Sequence, residues 1–242
     1  NILYKNMNIF YTKYSEWEED YFKYDIFNSQ QWSCDISFIV FDDQVDLNLL
    51  NKYINMKNIL VLNPVGNYDL AINLINLLKP ITIFFLSDEV GNNQKWLDLQ
   101  KYSKLFFRQY NHKHYNYAPN NYQIPLGYIK YFLLSKPLLN TKVSKINERI
   151  YSCSFVGTLK SDRRVMCNLF NNNFNNTKII TTQTNWANPA QQTILPKDLF
   201  DIYSNSIFVI NGRGNISLDC FRLYEAIISG AIPVIVGDIN ET

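Results

Sequence analysis

Near the C-terminus the loop "NGRGNIS" (211–217) places Asn211, Gly212, Arg213, Gly214 and Asn215 ahead of a stretch that carries Arg222 and Glu225. Glycines let a backbone approach a ligand closely, and the first amides of a helix favour an anion, so an apolar strand, a glycine-rich loop and a helix form a phosphate-binding design. Arg213 could pair a diphosphate through its planar guanidinium fork. Glu225 lies three residues after Arg222, on the same helix face. Its carboxylate there could accept from two neighbouring ribose hydroxyls while Arg222 or Arg213 meets phosphate. An i,i+3 ion pair on a solvated helix is the alternative on spacing alone.

Other residues invite similar scrutiny. Asp88 and Glu89 follow the apolar run 81–87 and are the first candidates for a general base that deprotonates a hydroxyl; the alternative is a pair of caps for the helix expected from Gln94. His112 and His114, in "YNHKHYNY", are the two histidines of the chain, and Arg108 precedes them. An H-x-H loop could bind a metal, but no neighbouring Cys or carboxylate completes a ligand set, so both are read as solvent-facing or as lining a substrate site. Arg108 is open between a salt bridge and a substrate contact. Gly157, in "FVGTLKSD", precedes Arg163 and Arg164 at the head of a further helix, where they could reach phosphate or serve the surface. Trp186, in the uncharged stretch 181–193, could stack on a base or sugar, or simply sit in a long loop.

These residues need elements to hold them. Short apolar runs rich in Ile, Val and Phe (36–41, 58–62, 81–87 and 104–110, with 2–10 as a further strand) alternate with helical patterns at 47–54, 69–78 and 94–102. That rhythm belongs to βαβ units with a parallel sheet. It lapses in residues 125–147, which carry two prolines, and resumes with strands at 149–158, 177–182 and 207–211. Helices follow from a start at Ser161 and Asp162, over 197–203 and over 218–229; Gly230 ends the last of them before the run "IPVIV", which closes at Gly237 and Asp238. Continuous apolar strands are buried on both faces and need helices on both sides. The expected fold is α/β, with two Rossmann-like domains whose parallel sheets face a cleft: 1–130, a linker over 131–148, and 149–242.

The chain has 242 residues, of which 47% are hydrophobic and 15% aromatic, enough for a sizeable core. Its formal charge is +2, and no stretch concentrates Lys and Arg as a nucleic-acid groove would; nucleic acid is not expected as a partner. No run reaches the length of a membrane span. Cys34, Cys153, Cys167 and Cys220 are scattered without a C-x-x-C pair, which argues for free thiols over a zinc site. The sequons at Asn175, Asn215 and Asn240 matter only in a secretory lumen.

The stretch "SIFVINGRGNISLDCFRLYEAIISGAIPVIVGD" (206–238) resembles the C-terminal signature of exostosin-type glycosyltransferases: a strand, a glycine-rich turn, F-R-L-Y-E-A, and a glycine before I-P-V-I. "FLSDE" (85–89), "FFRQY" (106–110), "IPLGY" (124–128) and "SFVGTLKSDRR" (154–164) are similar to other pieces of that family. The resemblance implies a two-domain GT-B fold, a nucleotide-sugar donor (UDP- or GDP-linked) on the second domain and a glycan or glycoprotein acceptor on the first. Glu225 would then lie near the donor ribose and Arg213 and Arg222 near the phosphates. Retaining relatives often carry a second Glu eight residues before the first; here that position is Ser217, which favours inversion. No D-x-D triplet occurs, so transfer without a metal or other cofactor is expected.

Fewer strands follow residue 149 than a GT-B domain usually has, so the C-terminal end of the fold is expected to be incomplete. A non-catalytic α/β module that binds a glycan or partner stands as the alternative, as does a fucosyltransferase-like enzyme, whose usual T-E-K differs from the Y-E-A found here. The oligomeric state is open, with a homo- or hetero-dimer among the options. A modified Asn215 would obstruct the phosphate loop, which favours a cytoplasmic setting; a Golgi lumen is the alternative if an N-terminal anchor is missing.

Overall fold

The computed structural model describes residues 6–28, 32, 34–133, 144–160, 162–182 and 194–236. Ser161, Trp186 with most of its stretch, Gly237, Asp238, the Asn240 sequon and the middle of the expected linker lie outside the described residues. The chain forms two compact units, Asn1–Pro125 and Leu126–Thr242.

The first unit is built on six parallel strands: β1 (Asn6–Thr12), β2 (Asp35–Phe41), β3 (Asn58–Leu62), β4 (Thr82–Phe85), β5 (Leu105–Arg108) and β6 (Asn121–Gln123). Their order in the sheet is β2-β1-β3-β4-β5-β6. Every residue of β3 and β4 is buried, as a central parallel strand covered on both faces requires. On one face Phe10, Leu60, Ile83 and Phe106 meet Ala71, Leu74, Ile75 and Leu78, the inner stripe of helix α1 (Tyr68–Leu78). The Asn67 side chain accepts from Leu70 N–H at the start of α1, and Lys79, with φ +46°, ends it in the left-handed conformation.

Three local expectations change. The pattern at 47–54 folds as a 3-10 helix (Leu47–Tyr53) opened by Asp46, whose carboxylate accepts from Asn48 N–H. The pattern at 94–102 splits into α2 (Gln94–Leu97) and a 3-10 turn (Asp98–Tyr102). Both segments are short, and Leu50 in the first and Trp96, Leu97 and Leu99 in the second reach the core without a longer α-helix. Between β1 and β2 the chain runs through a 3-10 helix (Lys13–Glu18), one α turn (Glu19–Tyr21) and a π-helix (Phe22–Ile26), none of them foreseen.

The second unit has four parallel strands, β7 (Tyr151–Gly157), β8 (Thr177–Thr181), β9 (Ser206–Ile210) and β10 (Ile232–Val234), in the order β10-β9-β7-β8. Helices α3 (Asp162–Asn173), α4 (Pro196–Ser204) and α5 (Phe221–Ile228) connect or flank them. Cys153, Phe155, Met166, Cys167 and Ile210 form a core cluster here. Residues 126–130, expected with the first domain, belong to this unit: Tyr128 packs on Phe132 and Phe132 on Phe200 of α4. Helix α5 begins at Phe221 rather than 218, because Cys220 is extended (φ −146°, ψ +159°).

Counted within its own unit, each sheet places its first four strands in the order 2-1-3-4. Both units are therefore α/β and Rossmann-like. In each, the chain leaves the first strand in one direction and the third in the other, which opens a crevice at their C-terminal ends. In the second unit that crevice lies between the ends of β7 and β9; in the first, between the ends of β1 and β3.

Candidate functional site

The loop 211–217 leaves β9 at the crevice of the second unit, beside the residues that follow Gly157 at the end of β7. Asn211 is fully buried and braces the loop from within. Its Nδ2 donates to Leu218 O at 3.2 Å, and its Oδ1 accepts from the Cys220 thiol at 3.0 Å. Gly214 N–H donates to Ser217 O at 2.7 Å and closes the turn. Gly212 has no room for a side chain: a Cβ would come within 2.6 Å of Arg163 Cγ and 2.8 Å of Asp162 Oδ1.

The four arginines named as phosphate candidates, Arg163, Arg164, Arg213 and Arg222, have different partners. Arg163 is 7% exposed and donates to three backbone carbonyls, Arg213 O at 2.6 Å, Gly214 O at 3.1 Å and Thr158 O at 3.2 Å. It fastens the glycine loop to the segment after β7. Arg164 is exposed, and its Nη2 lies 3.5 Å from Leu159 O. Arg213 donates its backbone N–H to both oxygens of Asp162, and its Nε lies 3.6 Å from the same carboxylate. The loop thus presents an amide and a guanidinium to one anion, and Asp162 is that anion here. The Asn215 side chain accepts from Lys160.

Arg222 and Glu225 sit deeper, at the base of the loop. The Arg222 guanidinium lies over the Phe155 ring, 4.8 Å from its centroid, and Nε donates to Val156 O at 3.3 Å. Gly157 makes room for it: with φ +149°, a Cβ there would fall 2.7 Å from Arg222 Nη2. Burial is the largest influence on the Arg222 guanidinium and works against its charge; Cys220, Tyr203 and Glu225 outweigh it and hold the side chain more firmly protonated. Glu225 is 4% exposed, and burial lifts its carboxyl to about 7 against the opposing pull of Arg222 and of Ile129 N–H, which donates to Oε1 at a long 3.4 Å. Tyr203, on α4, adjoins this pair, and burial raises its phenol. The solvated-helix alternative for Arg222 and Glu225 therefore does not describe them.

In the first unit Asp88 is buried and fully engaged. Its Oδ1 accepts from Asn93 Nδ2 at 2.7 Å and its Oδ2 from Tyr115 OH at 2.8 Å. His112 Nε2 meets Asp88 O, and His114 Nε2 meets Gly91 O, each at 2.7 Å. Gly91, with φ +70°, lets the His112 ring lie where a Cβ would be 2.6 Å away. Asp88, His112 and His114 thus latch the loop after β4 to the loop after β5. Glu89 is half-buried beside this latch. Arg108 is buried with its guanidinium 3.7 Å from the Tyr117 ring centroid, and it donates to Asn121 Oδ1, Asn111 Oδ1 and Tyr110 O. Arg108 thus braces the sheet edge beside β6.

Glu18 escaped the sequence reading. It is 2% exposed at the C-terminal edge of the sheet, where Ser87 Oγ donates to its Oε1 at 2.8 Å and the Gln109 amide also bonds it. Burial is the largest influence and lifts its carboxyl to about 7. The signal available was positional: a strand ending at Thr12 puts the acids after it at the ligand-binding edge of a parallel sheet.

Among the described residues no group of three or more His, Cys, Asp or Glu is arranged to hold a metal ion, and no helix is long and apolar enough to cross a membrane. No curated protein and no solved structure matches the chain. Residues 135–242, under half of the chain but nearly all of the second unit, match the family model described as the RXYLT1 C-terminal domain, a xylosyltransferase family related to exostosin-like glycosyltransferases. The glycine loop, Arg163, Arg213, Arg222 and Glu225 all fall inside this stretch, which is similar to a glycosyltransferase-related family.

Proposed function

We propose that the protein is a glycosyltransferase that moves a sugar, with xylose the first to try, from a nucleoside diphosphate to a hydroxyl of a glycan or glycoprotein. The second unit takes the donor and the first the acceptor, the division of labour of GT-B enzymes. The observation that carries this reading is the convergence of the loops after β7 and β9 at the crevice of the unit whose sequence matches the xylosyltransferase family. The anion held by Arg213 N–H and its guanidinium is a carboxylate, and a diphosphate oxygen suits the same donors. Glu225 exchanges its long bond from Ile129 N–H for the ribose hydroxyls, while Arg222 beneath it keeps the site electropositive as the leaving group gains charge. Donor binding without a divalent cation and inversion at the sugar carbon complete the proposal.

The test is titration of the whole chain with UDP and GDP in EDTA, followed by transfer from UDP-xylose. Binding is expected, and Arg213→Ala is expected to weaken it about tenfold, the worth of a charge-assisted hydrogen bond. Failure to bind either nucleotide overturns the reading. A non-catalytic module is the second reading, favoured by the way Asp162 and backbone carbonyls occupy Arg213 and Arg163. Equal background turnover by wild type and Glu225→Gln, with glycan binding retained, decides for it.

A further inference from the structure

Three segments meet at one corner of the first unit's sheet, each leaving the C-terminal end of a different strand: the helical turns after β1, the residues after β4 and those after β5. They bring Glu18, Ser87 and Gln109 into one hydrogen-bonded set. Ser87 Oγ donates to Glu18 Oε1 at 2.8 Å, Ser87 N–H donates to Gln109 Oε1 at 2.8 Å, and the Gln109 side chain also bonds the Glu18 carboxylate. Glu18 and Gln109 are buried, at 2% and 1% exposure, whereas Ser87 is exposed. The set therefore runs from a buried carboxylate to an exposed residue whose hydroxyl donates to it.

Two features separate this corner from a latch such as that of Asp88. Ser87 holds φ +64°, a left-handed conformation that costs a non-glycine residue about 1 kcal/mol and persists where the surroundings impose it. A glycine would satisfy the backbone here without strain; a serine adds a hydroxyl that donates to Glu18. The second feature is the carboxyl itself, removed from water and met by a hydroxyl and an amide, so that protonated and ionised forms are close in energy near neutrality. Near Glu18 among the described residues are Tyr11, whose phenol is raised by burial and then by Glu18, Glu19 and Asp20, and Glu19 itself, which pairs with Lys23. The Tyr11 hydroxyl is turned away, donating to Ser15 O at 2.6 Å.

We propose that Ser87 and Glu18 form the proton-accepting site of the first unit: an acceptor hydroxyl binds at Ser87 Oγ, and its proton is relayed to Glu18. This rests on the transfer reaction proposed above and names the residues of its base, in place of Asp88 and Glu89. As the acceptor oxygen bonds to the sugar carbon, its proton passes to Ser87 Oγ and the Ser87 proton to Glu18 Oε1. The bond from that carbon to the diphosphate breaks, and its electron pair leaves with the nucleotide. Gln109, which orients both the Ser87 backbone and the carboxylate, is a positioning residue.

Transfer from a nucleotide sugar is measured against pH for the whole chain in wild type, Glu18→Gln and Ser87→Gly, with nucleoside diphosphate affinity and Tm alongside. Glu18→Gln keeps the size of the side chain and an oxygen for Ser87 to donate to. Its turnover is expected to fall by about 10²–10⁴-fold, the usual contribution of a general base, and to lose the rise near pH 7, with nucleotide affinity unchanged. Ser87→Gly removes the relay hydroxyl, and the relieved backbone offsets part of the lost hydrogen bond to Glu18; turnover is expected to fall at least tenfold with nucleotide affinity unchanged, a combination that a merely structural role does not produce. Wild-type turnover with an unaltered pH profile in Glu18→Gln overturns the site and leaves the proposed function standing. If Glu18→Gln does not fold, Ser87→Gly decides alone, and wild-type turnover there overturns the relay. A wild-type chain that neither binds a nucleoside diphosphate nor transfers sugar removes the proposed function and this site together.

Discussion

Arg163 has all three of its guanidinium nitrogens on backbone carbonyls, two of them in the glycine loop and one after β7. A buried cation in that position is the loop's chief fastening, because the carbonyls of a tight glycine turn face inward and have few other donors within reach. Arg163→Ala leaves Arg213 O, Gly214 O and Thr158 O without this donor and is expected to cost about 2–3 kcal/mol. Arg163→Lys retains the charge but cannot span three acceptors, so it recovers only part of that loss. Urea denaturation reads the cost, and faster amide exchange confined to 211–217 locates it. An exchange rate unchanged from wild type in that loop would show that Asp162 and Asn211 hold it unaided. The neighbouring Arg164, of the same type and one residue on, is exposed; its replacement by Ala should move neither measurement beyond error.

At the scale of the element, helix α1 shows how local chemistry and tertiary packing share the work. Asn67 at its start accepts from Leu70 N–H, and Asn67→Ala is expected to destabilise the first unit by about 1 kcal/mol. Lys79 closes the helix at φ +46°, donating its N–H to Ile75 O, and Lys79→Gly is expected to raise stability by about 0.5–1 kcal/mol, since glycine adopts that backbone without strain. Thermal unfolding of both variants checks the pair, and a loss on Lys79→Gly would mean that the flexibility added to the unfolded chain outweighs the relief. Helix α1 was legible in the sequence because its inner face recurs with helical spacing, and β3 and β4 were legible because a parallel strand covered on both faces must be an unbroken apolar run. Strand β6, Asn-Tyr-Gln at the sheet edge, carries no such run and was missed. The turns after β1 were missed because Tyr21, Phe22 and Phe27 are spread among acids while the turn changes from 3-10 to α to π, so no single period survives. The site was half legible: glycine spacing pointed to the loop after β9, whereas the inward turn of Arg163 and the burial of Glu18 depend on segments distant in the chain.

Across the whole molecule, two sheets wound in the same order each place a buried carboxyl at the C-terminal side of its unit's strands, Glu18 in the first and Glu225 in the second. Both halves were foreseeable because each repeats the alternation of apolar runs and helical patterns that marks βαβ units. The two carboxyls also share a thermodynamic sign. Each is raised by burial from an ordinary value of 4.5 to about 7 in the folded chain. Below about pH 4.5 both are protonated whether the chain is folded or not, and neither opposes folding. Between 4.5 and 7 the unfolded chain releases their protons first, so stability falls as pH rises, and above 7 the loss is complete and constant. A displacement of that size corresponds to about 3 kcal/mol for each group. Chemical denaturation of the whole chain at a series of pH values is expected to show this decline. Glu18→Gln removes the part that belongs to the first unit and Glu225→Gln the part that belongs to the second, because an amide does not ionise. Stability that stays level from pH 4.5 to 7 in wild type, or a decline that neither variant reduces, would mean that water or a rearranged hydrogen bond reaches these carboxyls and that the crevices are more open than their burial indicates.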